Sequence, residues 1–187
     1  PHMLPNKLQF KKFVSKSGIL KNKLIVIYDQ NGFFCSSRIW FTFKLYNFKN
    51  LKILNGGFNQ WINKKYPVSK IVPTQKKINN NIKIQKNMVV KKKDIQKKLT
   101  SSNKTVILDA RPKKRFLGID PEPRKNLKSG NIPGSINLPF NKLSNTHGKI
   151  LAFCKLEKLI NKKFKLKKTD EIICSCGSGI TACNLIF

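Results

Sequence analysis

The chain is organised around Cys176-Gly177-Ser178-Gly179-Ile180-Thr181-Ala182, a glycine-rich stretch between two apolar segments. The run before it, 171–175, predicts a buried strand, and the segment 181–187 predicts the start of a helix. A thiol on such a turn is surrounded by backbone N–H groups and faces the positive end of the helix dipole. Both features favour the thiolate, which is the nucleophilic form of cysteine. Cys176 is therefore a candidate nucleophile, and the alternative is an inert buried cysteine beside a turn.

Strands and helices alternate through the rest of the chain, which predicts an α/β fold with parallel sheets built from βα units. The predicted strands are 24–28, 51–54, 105–109, 135–138 and 171–175. The predicted helices are 6–17, 36–48, 58–64, 91–99, 112–117 and 156–164.

A stretch without apolar periodicity, 69–81, is the predicted linker between domains 1–68 and 82–187. A weak internal repeat aligns 24–29 with 171–176, and it places Asp29 where the second domain has Cys176. The first domain is therefore predicted to lack a nucleophile of its own.

Several short motifs accompany the cysteine loop in a fixed order. They are Pro1-His2-Met3-Leu4-Pro5, Asp109-Ala110-Arg111, Arg115-Phe116-Leu117-Gly118, Pro121-Glu122-Pro123-Arg124 and Gly130-Asn131-Ile132-Pro133-Gly134. This set resembles the two-domain rhodanese-like sulfurtransferases, in particular the 3-mercaptopyruvate sulfurtransferases. The resemblance implies tandem rhodanese-like domains, each a parallel-sheet βα unit and both incomplete in this chain. Residues 1–68 would be the C-terminal part of a non-catalytic domain, and 82–187 a catalytic domain lacking its C-terminal end.

The resemblance implies a sulfurtransferase that moves a sulfur atom from 3-mercaptopyruvate, via a persulfide on Cys176, to a thiol or cyanide, releasing pyruvate. A thiosulfate sulfurtransferase is the nearest alternative. Thiosulfate enzymes usually carry basic residues after the cysteine, whereas Gly177 and Ser178 are neutral here, which favours the oxo acid. A non-catalytic sulfur-carrier or interaction module is the alternative from another class.

The resemblance also assigns roles to individual residues. Cys176, Ser178 and His2 would be catalytic, the last two as parts of a proton relay. Arg115 and Arg124 would hold the substrate carboxylate, and the alternative is that they pair with Asp109, Asp120 or Glu122. The backbone of the cysteine loop would bind the extra sulfur through Gly177, Gly179, Ile180 and Thr181. Arg111 follows a strand end directly and is predicted to be structural, and Asn131, where the family usually has His, is predicted to order its loop.

The formal net charge of +31 would normally suggest a nucleic-acid partner. Of the 39 basic residues all but four are Lys, however, and they are scattered through the chain, which indicates codon bias rather than a binding patch. We expect no specific nucleic-acid binding, no membrane association and no cofactor. The five Cys and two His lack zinc-site spacing, so no metal is predicted, and unpaired cysteines favour a cytoplasmic protein. The expected partners are a small-molecule sulfur donor and an acceptor such as thioredoxin or a small thiol.

Overall fold

Two parallel sheets organise the chain in the computed structural model, which describes residues 2–30, 32–100, 105–164, 166 and 170–187. One sheet pairs two strands and the other pairs three, and every pairing between these strands is parallel. The predicted α/β class is confirmed. The chain forms two units, Pro1–Met88 with His147–Lys149, and Val89–Thr146 with Ile150–Phe187.

The first unit contains, in chain order, α1 (Lys7–Lys16), β1 (Ile25–Ile27), α2 (Ser36–Leu45), β2 (Leu51–Ile53), α3 (Gly57–Asn63) and a 3₁₀ turn at Lys86–Met88. α1 begins at a capping box, because the Asn6 side chain accepts from the Gln9 N–H at 2.9 Å and the Gln9 side chain accepts from the Asn6 N–H at 2.8 Å.

The core of the first unit is built around Phe10 of α1. Its ring stacks on Tyr46 at 4.2 Å and meets Phe43 and Phe48 edge-on at 5.2 and 5.7 Å. All four side chains are buried, and the cluster is completed by Val14, Ile27, Leu45, Leu51 and Ile82. Aromatic pairs in these geometries add to the free energy gained from buried area alone.

The inward face of α2 agrees with the predicted one at Phe43 but not at Ile39. The sequence predicts that Ile39, Trp40 and Phe43 face inward; Phe43 is buried, Trp40 is partly buried against the core, and Ile39 is 45% exposed. Ser37, Phe41 and Leu45, which follow one another at four-residue spacing, are buried as well.

The first unit extends beyond the residues predicted for it. The sequence predicts a linker over 69–81 and a new domain from 82, whereas the structure assigns 69–88 to the first unit. The physical reason is that side chains and backbone groups of residues 80–85 contact the first unit directly. The Asn80 amide donates to the Ile19 carbonyl at 2.8 Å, Ile82 is buried in the aromatic cluster, and the Gln85 N–H donates to the Leu45 carbonyl at 2.8 Å.

The second unit contains α4 (Lys92–Leu99), β3 (Thr105–Asp109), α5 (Lys113–Phe116), β4 (Ile136–Asn137), a 3₁₀ turn at Phe140–Lys142, α6 (Phe153–Phe164), β5 (Glu171–Ser175) and α7 (Ala182–Ile186). Its sheet has the order β4-β3-β5, with β3 in the centre. The apolar residues of β3 are buried, as expected for a central parallel strand covered on both faces. Among the described residues, no helix combines the length and apolar character needed to cross a membrane.

Two phenylalanines of α1 offer a matched test of this core. We expect Phe10→Ala to lower the free energy of unfolding by about 3–5 kcal/mol, because it removes a fully buried ring. Phe13→Ala, one turn away and 52% exposed, should cost about 1 kcal/mol or less. Both tryptophans, Trp40 and Trp61, belong to the first unit, so urea unfolding followed by tryptophan fluorescence reports on it. Equal losses in the two variants would contradict the assigned core.

Candidate active site

The carboxyl-terminal edge of the three-stranded sheet gathers the predicted site residues of the second unit. β3 and β5 run in register, with Asp109 opposite Ser175, so the two strands end at the same level. Asn137 of β4 lies opposite Asp109 on the other side. The Ala110 N–H donates to the Ser175 carbonyl at 2.9 Å and carries the pairing one residue further. Cys176 therefore leaves the sheet beside the segment that follows β3, at the edge where open α/β sheets bind ligands.

The cysteine loop holds the thiol sulfur with a backbone donor. The Gly179 N–H donates to Cys176 Sγ at 2.9 Å. Gly179 has φ of 80°, in the left-handed region where glycine is at little disadvantage, so its place in the loop follows from the turn. The thiol of Cys176 is half-buried, which leaves it open to a small substrate.

Cys183, at the start of α7, contacts this loop and was not singled out in the sequence. Its side chain is buried, and its Sγ donates to the Gly179 carbonyl at 3.0 Å. Gly179 is therefore fixed on both sides, through its N–H to Cys176 and through its C=O to Cys183. The only signal in the sequence was the spacing, since 179 and 183 are four apart at the start of a helix.

Four charged side chains form a chain of ion pairs beside the loop, and we call Asp109, Arg111, Glu122 and Arg115 the charge ladder. Arg111 Nη2 donates to Asp109 Oδ2 at 2.7 Å, and Arg111 Nη1 donates to Glu122 Oε1 at 2.7 Å. Arg115 Nη2 donates to Glu122 Oε2 at 2.6 Å. Hydrogen bonds from Arg115 and Arg111 hold the pKa of Glu122 below its usual value, against the opposing effect of burial. The hydrogen bond to Asp109 raises the pKa of Arg111, so Arg111 and Glu122 are both charged at neutral pH.

The charge ladder also fixes the long loop between α5 and β4. Arg111 Nη2 donates to the Gly130 carbonyl at 2.7 Å, and the Asn137 amide donates to the Arg111 carbonyl at 2.8 Å. Asn131 donates to the Phe116 carbonyl at 3.0 Å, which is consistent with the loop-ordering role expected of it. These contacts are those expected of the structural role predicted for Arg111.

Arg115 lies directly against the cysteine loop. A Cβ atom built on Gly177 would sit 2.8 Å from Arg115 Nη2, closer than such contacts occur in proteins. A side chain at position 177 would therefore have to displace the guanidinium of Arg115, which occupies the volume that the side chain would need. The structure joins Arg115 to Glu122, one of the partners considered for it, and also places it against Gly177, the residue that follows the candidate nucleophile.

The remaining predicted site residues are less constrained. Ser178 is half-buried in the loop, and Arg124 is exposed, with no hydrogen bond or ion pair to it among the described residues. The Ile180 and Thr181 carbonyls accept from the N–H groups of 183 and 184, which start α7. His2 is exposed in the first unit, where Arg38 donates to its carbonyl at 3.0 Å.

Glu122 is the site residue that the sequence underrated. It appears there only as one of three possible partners for an arginine, yet it joins Arg111 to Arg115. Two signals pointed to it. It is one of only eight acidic residues in a very basic chain, and it stands between two prolines, which fix the backbone around it. In the part of the chain that the structure describes, no group of three or more His, Cys, Asp or Glu side chains is placed to hold a metal ion.

Comparison with known proteins agrees with this geometry. Residues 2–64 and 92–185 match the Rhodanese-like domain. The chain belongs to the rhodanese-like family. The match falls in two segments, consistent with the tandem domains that the sequence predicts.

Similar rhodanese-like proteins carry two kinds of name. The chain is 38% identical to a probable 3-mercaptopyruvate sulfurtransferase of Schizosaccharomyces pombe, over 97% of this chain and 63% of that protein. It is 31% identical to the 3-mercaptopyruvate sulfurtransferase of Mus musculus, over 99% of this chain and 62% of that protein. It is also 29% identical to the thiosulfate sulfurtransferase of Bos taurus, over 98% of this chain and 62% of that protein. The chain therefore spans less than two thirds of the length of these relatives.

A solved structure of the same fold is that of SseA from Escherichia coli, described as a 3-mercaptopyruvate sulfotransferase. It is 27% identical to this chain, with a TM-score of 0.86, and the superposition covers 100% of this chain and 68% of SseA.

The two cysteines of β5 and its loop should differ sharply in reactivity. Burial raises the pKa of Cys174 to about 12, with a smaller contribution from Cys183, so Cys174 stays a protonated thiol at ordinary pH. We expect iodoacetamide at pH 8 to label Cys176 and the exposed Cys154 but not Cys174, as read by peptide mass spectrometry. Labelling in guanidinium chloride, where all five cysteines should react, is the control. Equal labelling of Cys174 and Cys176 in the folded protein would refute the assignment.

Proposed function

We propose that this chain carries the catalytic site of a sulfurtransferase that takes a sulfur atom from 3-mercaptopyruvate onto Cys176 and passes it to a thiol or cyanide. The observation that carries the proposal is the geometry of the cysteine loop. Cys176 Sγ accepts the N–H of Gly179, and the guanidinium of Arg115 lies against the neighbouring Gly177. Arg115, the proposed carboxylate-binding group, thus lies against the residue that follows the proposed nucleophile.

In the first half-reaction the thiolate of Cys176 attacks the sulfur of 3-mercaptopyruvate. A sulfur–sulfur bond forms and the bond between that sulfur and C3 breaks. The electron pair goes to C3, and the thiol proton of the donor is transferred to it. The products are pyruvate and the Cys176 persulfide. The N–H of Gly179 stabilises negative charge on the cysteine sulfur, as the donors of an oxyanion hole do for oxygen.

In the second half-reaction a thiol acceptor attacks the outer sulfur, and Cys176 leaves as the thiolate. The acceptor carries away the sulfur as its own persulfide, and cyanide would leave as thiocyanate. Ser178 and His2 are the proposed carriers of the proton in the first step. A thioredoxin or a small thiol in the cytoplasm is the proposed acceptor, since free cysteines suit a reducing compartment.

The preference for the oxo acid over thiosulfate rests on charge. The charge ladder contains two carboxylates and two guanidinium groups, so Arg115 supplies directed hydrogen bonds but little net positive charge. Gly177 and Ser178 add none. A planar monoanionic carboxylate suits a guanidinium edge, whereas a compact dianion such as thiosulfate calls for a concentration of positive charge. Thiosulfate transfer is the second candidate, favoured by relatives such as the bovine enzyme.

Persulfide formation tests the chemistry directly. After incubation of the protein with 3-mercaptopyruvate, we expect intact-mass and peptide mass spectrometry to find one added sulfur, on Cys176. Cys174→Ser should retain the added sulfur, because the thiol of Cys174 is largely buried and stays protonated. Cys176→Ser should lose both the added sulfur and turnover. Turnover that persists in Cys176→Ser would exclude the mechanism.

Donor preference tests the substrate. We expect kcat/KM of the full-length protein to be higher for 3-mercaptopyruvate than for thiosulfate, for the reasons of charge given above. Substituting Ser178→Lys, which adds a cation to the loop, should shift the ratio toward thiosulfate. Steady-state kinetics with both donors provide the measurement, and a clear thiosulfate preference of the unsubstituted protein would transfer the assignment to the second candidate.

A further inference from the structure

Glu122 divides its two oxygens between two arginines. Oε1 accepts from Arg111 Nη1 at 2.7 Å and, more weakly, from Arg115 Nε at 3.4 Å. Oε2 accepts from Arg115 Nη2 at 2.6 Å. The carboxylate side chain is only 5% exposed, and Pro121 and Pro123 restrict the backbone on either side. A carboxylate so placed fixes the direction in which the guanidinium of Arg115 points.

A guanidinium group has two edges that can bind a carboxylate with paired hydrogen bonds. Glu122 takes the edge formed by Nε and Nη2. The second edge is formed by Nη1 and the other N–H of Nη2, and no described residue accepts a hydrogen bond from it. Nη2 belongs to both edges and is also the atom beside Gly177. The second edge therefore shares with the first the nitrogen that lies next to the cysteine loop.

We propose that Glu122 is a positioning residue: it orients the guanidinium of Arg115 against Gly177, so that the second edge receives the carboxylate of the sulfur donor. This inference rests on the proposed function. Arg115 is then paired in the free protein and still able to bind substrate, so its ion pair and its role as a clamp are compatible. Arg111 completes the arrangement, because it holds Glu122 from the opposite side and is itself fixed by Asp109.

Substitutions at Glu122 should act through Arg115. In Glu122→Gln the amide offers one oxygen, and its NH₂ group faces the N–H groups of an arginine, so the orientation is lost while the size is kept. In Glu122→Asp the charge stays but the shorter side chain draws Arg115 away from Gly177. Asp120→Asn is the matched control, since it removes a carboxylate two residues away whose side chain no described residue contacts by a hydrogen bond.

The first measurement is binding of pyruvate, which presents the carboxylate without sulfur transfer. The chain has four Arg, so their ¹⁵N-labelled Nε–H signals are few and can be assigned by Arg→Lys substitution. We expect pyruvate to shift the Arg115 signal, and Glu122→Gln to weaken that binding by about tenfold, as loss of a charge-assisted orientation implies. Asp120→Asn should bind normally. Failure of pyruvate to shift Arg115, or equal binding in Glu122→Gln, would overturn the positioning role even if sulfur transfer proceeds.

The second measurement separates positioning from a structural effect. For 3-mercaptopyruvate, Glu122→Gln should raise KM by about tenfold with kcat nearly unchanged, and Glu122→Asp should lie between Glu122→Gln and the unsubstituted protein. Loading of Cys176 from inorganic polysulfide, which has no carboxylate, should be unaffected.

In an Arg115→Lys background, Glu122→Gln should add little, because both changes remove the same interaction. Equal losses with both donors, or additive losses in the double variant, would show that Glu122 acts on the fold and not on Arg115. If neither donor loads the unsubstituted protein, the proposed function fails, and the pyruvate titration alone decides the inference.

Discussion

The pairing of Arg111 with two carboxylates is the interaction on which the geometry of the second unit depends. Asp109 ends the central strand, and Arg111, two residues later, turns back to it and reaches forward to Glu122. A buried ion pair gains little net stability over apolar packing, but removing one partner leaves a buried charge and costs about 3–5 kcal/mol. Its main effect here is therefore geometric. Arg111 ties the end of a rigid strand to a loop that regular secondary structure does not hold.

The parallel sheet determines where the ion pairs of Arg111 lie relative to Cys176. β3 and β5 are neighbours in register, so Asp109 and the residue before Cys176 end at one level. The route from Asp109 through Arg111 and Glu122 to Arg115 then returns to the cysteine loop at Gly177. Two different features hold the candidate nucleophile and the arginine. Cys176 is held by the end of a strand, and Arg115 is held by the charge ladder. Both features start from the paired strands β3 and β5.

The parts that the sequence predicted are those encoded locally. The strands and the cysteine loop follow from apolar runs and glycine placement, and Arg111 was recognised as structural because its partner lies two residues away. The first compact unit extends past the predicted boundary at 81, because Ile82 is buried by tertiary packing that no local pattern records. The choice among Asp109, Asp120 and Glu122 as partner of Arg115 was open for the same reason. It depends on the path of the loop from 120 to 134, which the Arg111 contact to Gly130 sets.

The two residues aligned by the internal repeat, Asp29 and Cys176, make comparable contacts in the two units. There Asp29 follows β1 and its carboxylate accepts the N–H groups of Cys35 and Ser36 at 2.8 and 3.1 Å, at the start of α2. Cys176 follows β5 and its sulfur accepts the N–H of Gly179. Each unit therefore places an acceptor for backbone N–H groups between a parallel strand and a helix. A carboxylate in that position caps a helix and is held there, whereas a thiol makes one such contact and stays half-exposed. A sulfur atom can be loaded onto a thiol but not onto a carboxylate, so at this position of the repeat Cys176, and not Asp29, is the candidate for sulfur loading.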